Sequence, residues 1–243
     1  MNNDLFLTNE KLKIVEDDIK IGNYPKLNIL IKNMNFDNIE KDFLMRHFIK
    51  TKILEQQEDI RATMFSIVDF NFQNPSEENS TCLMLMIKEK DLNTLEKVFL
   101  LDSLNFNPNT QDSNGNTFFH YLICLTESDS TILKLLQKSF EYCRNNSIYF
   151  DLNIINSSGE IPLSLSLQLG LSKISEELIL NGSNPKFISY DGSNLLHYAV
   201  KSKNPSCVII LKDYVDPTSV NKGNISALDL AKMMNLENIY KLL

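Results

Sequence analysis

Hydrophobic positions recur along this chain at helical spacing, in short stretches separated by polar turns that carry glycine or asparagine. Between residues 161 and 180, Leu163, Leu165 and Leu167 belong to one predicted helix, and Ile174, Leu178 and Ile179 to the next. Between 194 and 211, Leu196, Ala199 and Val200 face Val208, Ile209 and Leu211 in the same manner. Earlier in the chain, residues 39–50 and 58–68 read as a helix pair, and 92–101 as the second helix of another. Residues 19–31 read as the end of a helix, a tight turn at Gly22 and a further helix. Helices this short bury their stripes against one another, so the pattern predicts an all-α stack with a repeated core and no cofactor pocket.

The turns between the pairs repeat one phrase. It reads Asp112-Ser-Asn-Gly115-Asn-Thr-Phe-Phe-His120, then Asn156-Ser-Ser-Gly159-Glu-Ile-Pro-Leu-Ser164, then Ser189-Tyr-Asp-Gly192-Ser-Asn-Leu-Leu-His197. A weaker copy, Asn221-Lys-Gly-Asn224-Ile-Ser-Ala-Leu-Asp229, closes the series. The fourth residues, Gly115, Gly159, Gly192 and Asn224, fall 44, 33 and 32 positions apart. Glycine adopts a left-handed backbone freely and asparagine tolerates it, so a positive φ is predicted at each. Thr117, Asn194 and Ser226 are placed to cap the helices that follow, and Pro162 suits a first helical position. Stepping back 36 positions from Gly115 puts Asn79 at the same marker, with Thr81-Cys-Leu-Met84 after it. Gly170 falls between paired helices, and Gly182 within Asn181-Gly-Ser-Asn184 suits a left-handed helix end.

This phrase and its period resemble the ankyrin repeat family, whose units run as a turn, a helix opened by a Thr-Pro-Leu-His-like tetrad, a second antiparallel helix and a loop. The resemblance implies a solenoid of about six stacked helix-turn-helix units, the N-terminal two atypical. Residues 1–243 are expected to form a single domain, with atypical units over 11–36 and 37–74. The repeat region is divided as 76–109, 112–155, 156–188, 189–220 and 221–243. It also implies that His120 and His197 bond across to an adjacent turn, a link and a cap for which Ile161 and Ser164 lack the usual side chains. The 44-residue spacing places about eleven extra residues near 140–150, relative to the common 33-residue period. That stretch holds Phe140, Tyr142, Tyr149 and Phe150, which fit either a lengthened, packed second helix or an exposed aromatic binding element.

Charge and chemistry narrow the function. With 31 acidic and 24 basic side chains the net charge is −7, the wrong sign for neutralising nucleic-acid phosphates. No apolar run is long enough to cross a bilayer, and residues 1–4 lack the basic and apolar regions of a leader, so an intracellular, cytoplasmic protein is expected. Cys82, Cys124, Cys143 and Cys207 show no metal-ligand spacing, and reduced thiols with no bound metal or cofactor are expected. The 29 asparagines look like compositional drift, with no bearing on function. Cys124 lies one helical turn from His120, which permits contact, but no orienting group or oxyanion-binding signature accompanies them, so no catalysis is expected.

The resemblance therefore implies a protein-binding module, monomeric on its own, whose partner docks on the concave side formed by turn tips and first-helix faces. Carried over position by position, the tips are Ser113, Asn114 and Asn116; Ser157, Ser158 and Glu160; Tyr190, Asp191 and Ser193; and Lys222. The first-helix positions are Lys88, Cys124, Gln168, Lys201 and Met233. Tyr190 is either the main anchor for a partner or a ring lying on its neighbour's turn. Two alternatives remain beside a free-standing binding module. One is a targeting or autoregulatory segment of a larger protein such as a membrane-trafficking factor, and the other an adaptor that recruits clients to a ligase or kinase.

Overall fold

The computed structural model describes residues 10–101 and 104–243, and residues 1–4, read above for a leader, lie outside them. Among the described residues the regular structure is helical, and β pairing is confined to isolated bridges at turn bases: Asn74 with Ser80, Ile188 with Asn194, and Val220 with Ser226. No helix among them is long and apolar enough to cross a membrane. The chain divides into two compact units, Met1–Phe106 and Asn107–Leu243.

The first unit contains α1 (Glu10–Lys20), α2 (Tyr24–Asn33), α3 (Asn38–Lys50), α4 (Ile53–Gln56), α5 (Glu58–Ile67), α6 (Cys82–Lys88) and α7 (Leu92–Val98). Helix α2 packs on α1 and α5, α3 on α6, and α7 on α4 and α6. The start of α3 is held by a reciprocal cap: the Asp37 carboxylate accepts from Glu40 N at 2.8 Å, and Glu40 accepts from Asp37 N at 2.8 Å. The predicted bounds of α3 and α5 agree with the structure to one residue. Helix α7 stops at Val98, short of residue 101, because Leu100 N and Leu101 N bond to Lys97 O and Val98 O as turns.

In the second unit four helix pairs follow one another: α8 (Phe118–Ile123) with α9 (Asp129–Asn145), α10 (Pro162–Gln168) with α11 (Ser172–Leu180), α12 (Leu195–Lys201) with α13 (Pro205–Leu211), and α14 (Ala227–Met233) with α15 (Glu237–Tyr240). First helices α8, α10, α12 and α14 pack each on the next, and second helices α9, α11, α13 and α15 do the same. Each pair therefore completes its core only with its neighbours. The extra residues of the first of these pairs lengthen α9 to 17 residues. Of the aromatics there, Phe140 is fully buried and stacks on Phe150 with centroids 5.1 Å apart, Phe119 closes the cluster at 5.3 Å, and Tyr142 is buried. Only Tyr149 of the four faces solvent, so the stretch is mainly a packing element.

Candidate partner-binding surface

The turn tips of the second unit are rigid because their own side chains bond the backbone. Asp112 Oδ1 accepts from Asn114 N at 2.9 Å and Asn116 N at 2.8 Å. Asn156 Oδ1 accepts from Ser158 N and Glu160 N, both at 3.0 Å, and Asn221 Oδ1 from Gly223 N at 2.9 Å and Ile225 N at 3.2 Å. These bonds keep the chain in a tight loop around a left-handed residue. The predicted markers all have positive φ: Asn79 at 53°, Gly115 at 74°, Gly159 at 79°, Gly192 at 80° and Asn224 at 57°.

Neighbouring tips are also bonded to one another. Ser157 N donates to Asn114 O at 2.9 Å, and Lys222 N to Asp191 O at 2.9 Å. Between these two links the connection is the Ser189 hydroxyl, which donates to Gly159 O at 2.7 Å, together with the Tyr190 ring lying against Gly159. One face of Tyr190 thus rests on its neighbour's turn while 60% of the residue stays exposed.

Below the tips, histidines link two of the first helices, α8 and α12, to the following turn. His120 Nδ1 accepts from Thr117 N at 3.1 Å, which makes Nε2 the protonated nitrogen, and Nε2 donates to Glu160 O at 3.1 Å. His197 repeats the arrangement, with Nε2 2.9 Å from Ile225 O. Burial pushes the His120 ring below the usual histidine range, against the opposing influence of the Glu160 carbonyl and Asp112. In the pair of α10 and α11 Ser164 takes over the cap: its Oγ accepts from Ile161 N at 2.9 Å and donates to Ile161 O at 2.7 Å. In the first unit an arginine does the histidine's work. Arg46 is buried, bonds Asp42 Oδ2 at 2.6 Å, and donates to Ser80 Oγ and Ser80 O, the carbonyl just before the Thr81 cap.

With both ring nitrogens engaged, His120 has none left to activate Cys124. Burial, and then Glu160, also push the Cys124 thiol up, away from the thiolate a nucleophile needs.

The expected surface residues fall into three groups. Ser113, Asn114, Ser157, Ser158, Tyr190, Asp191 and Lys222 are exposed at the tips, with Asn116 and Glu160 half-buried beside them. Cys124, Gln168, Lys201 and Met233 are exposed near the ends of α8, α10, α12 and α14, seven residues after each cap. Two residues stand apart. Lys88 belongs to the first unit, where its amine lies 3.1 Å from Glu78. Ser193 is 1% exposed, with its hydroxyl donating to Asp191 Oδ2 at 2.9 Å and accepting from Asn221 Nδ2 at 3.3 Å, so this tip residue is internal.

A further row, four residues after each cap, lies between tips and helix ends: Tyr121, Leu165, Tyr198 and Leu230. Tyr121 bonds back to Asp112 through its hydroxyl, and Lys201 Nζ sits 5.3 Å from the centre of the Tyr198 ring. The row was readable from helical periodicity, since positions four and seven share a face. At Asp191 partial burial works against the charge, but the Ser193 amide and hydroxyl, with Lys201 and His197 nearby, hold the carboxyl below its usual range. The tip before α12 therefore carries a negative charge at Asp191 beside the exposed Tyr190 ring.

No family model and no curated protein matches the sequence. Solved structures do match the fold. An ankyrin repeat domain from Acinetobacter baumannii AYE aligns with TM-score 0.63 at 17% identity, over 82% of this chain and 95% of that one. The ankyrin repeat protein EF0377 aligns with TM-score 0.62 at 16% identity, over 80% and 96%. Turns with left-handed markers, capped first helices, histidine links and stacked pairs together with these alignments show that the chain has the ankyrin-repeat fold.

Proposed function

We propose that this protein is a non-catalytic interaction module, and that the second unit binds a partner protein across the tips and inner first-helix faces of its second and third pairs. The observation that carries the reading is Tyr190: a ring exposed over most of its surface, braced by Gly159 and flanked by Glu160 and Asp191. A braced aromatic gives contact area with little rotamer entropy to lose, which is the profile of an anchor residue. The two carboxylates favour a neutral or basic partner segment, with Lys or Arg at the rim. The half-buried row of Leu165 and Leu230, with Tyr198 between them, supplies an apolar floor.

The test compares partner capture by the native chain, Tyr190→Ala and the Glu160→Lys, Asp191→Lys double variant, once melting curves show that all are folded. Loss of the ring is expected to shorten the lifetime of the complex, while charge reversal slows association and alters its salt dependence. Native-like binding by both, with loss on changing Tyr149, would move the site to the lengthened α9 and end this reading.

A further inference from the structure

Asp91 caps α7, its Oδ1 accepting from Thr94 N at 3.3 Å. The residue is 0% exposed, and its second oxygen, Oδ2, has no hydrogen-bond donor. Two side chains bear on the carboxyl: the Thr94 hydroxyl of α7 itself, and the carboxyl of Glu55 in α4, the helix against which α7 packs. Two carboxylates cannot satisfy each other, whereas a carboxylic acid and a carboxylate can, because the acid supplies the missing donor.

The chain shows the same position solved with an amide. Asp91 lies ten residues after the Thr81 cap, and Asn204 lies ten residues after the Asn194 cap. Asn204 likewise caps the second helix of its pair, and its Nδ2 donates to Gly170 O of the preceding pair at 2.8 Å. At Asn204 a side-chain donor thus reaches back to the preceding pair, whereas an ionised Asp91 has no donor to offer.

We propose that Asp91 retains a proton in the folded protein and shares it with Glu55 across the α4–α7 seam, so that the first unit packs more firmly in mildly acidic surroundings. Other charged groups near the seam do not replace that proton. Lys52 donates to Glu89 O at 2.6 Å and lies 3.8 Å from Glu55, and Lys88 pairs with Glu78. Burial, then Glu55, raise the Asp91 carboxyl from the usual range to about 6, against opposition from Thr94 and Lys52. A folded value above the unfolded one gives stability that is full at low pH and lost as pH climbs from about 4 through about 6.

The experiment measures unfolding of the whole chain by urea at pH 4.5 and pH 7.5 for the native protein, Asp91→Asn and Glu55→Gln, alongside a carboxyl-carbon NMR titration of Asp91. Each amide provides a permanent donor. Asp91→Asn is expected to raise the folding equilibrium constant on the order of tenfold to a hundredfold at pH 7.5 and hardly at all at pH 4.5. Glu55→Gln should give a smaller gain of the same sign, and the Asp91 carbon should titrate near 6. An Asp91 midpoint near 4, or an Asp91→Asn variant that gains nothing at pH 7.5 relative to pH 4.5, overturns the proposal. The NMR midpoint decides the matter even if either variant fails to fold.

Discussion

The Tyr190 ring occupies the space that a side chain on Gly159 would need: a Cβ there would fall 2.7 Å from Tyr190 Cδ2 and 2.9 Å from Cγ. Gly159 also has φ of 79°, so its lack of a side chain serves the turn and the neighbouring ring together. Gly159→Ala is expected to reduce stability by about 1–3 kcal/mol and to dislodge the ring. Tyrosine fluorescence and a thermal melt would show both effects, and an unchanged melt would contradict the contact.

Gly192 is constrained by backbone instead. A Cβ there would approach Lys222 N to 3.0 Å, the nitrogen that donates to Asp191 O, and φ is 80°. Gly192→Val combines a left-handed β-branched residue with a clash against a tip-to-tip bond. A loss of about 1–3 kcal/mol is expected in chemical denaturation.

Arg46 should be among the most sensitive positions. Removing it leaves the 3% exposed Asp42 with Asn74 Nδ2 at 2.7 Å but without its cation, and leaves Ser80 O without that donor. Burial already raises the Asp42 carboxyl despite the opposing Arg46. Arg46→Ala is expected to cost about 3–5 kcal/mol, with part recovered in an Arg46→Met, Asp42→Asn double variant. A double-mutant cycle measures the coupling.

The contribution of the second unit to stability should fall as the medium is acidified below the usual histidine range. His120 is depressed by burial, so the unfolded chain takes up a proton that the folded one resists, and stability present at neutral pH is lost on the acid side. His120→Gln should flatten this dependence while lowering stability at pH 7 by about 1–3 kcal/mol for the disrupted buried bonds. Urea titrations from pH 7.5 to pH 5.5 would test it.

The thiols should be unreactive in the folded state. Burial pushes Cys143 up to about 12 and Cys207 to about 11, and raises Cys82 further. Cys124 is exposed but also raised, so it alone should label at pH 8, more slowly than a free thiol, with the other three released by denaturant. Rapid labelling of Cys124 would reopen the question of chemistry there.

Much of the architecture was readable because it depends on local rules. Left-handed markers at Asn79 and Asn224 follow from the phrase alone, and α3 and α5 from apolar spacing. Helix α4 was not foreseen, since the preceding left-handed residue is Lys52, which carries no turn signal. Arg46 reads as a surface residue because its partner Ser80 is 34 positions away. Ser193 was assigned to the tip surface by position, and only the fold reveals its hydroxyl between Asp191 and Asn221. The resting place of Tyr190 on Gly159 is likewise a contact between units that no local pattern encodes.

Two of the links between tips are made by main-chain atoms, Ser157 N to Asn114 O and Lys222 N to Asp191 O, and only proline at Ser157 or Lys222 would delete a donor. The link from Ser189 and Tyr190 to Gly159 is made by side chains. That junction is therefore the adjustable joint of the second unit. Substitutions at Ser189 or Tyr190 remove contacts of this junction while the main-chain links on either side remain.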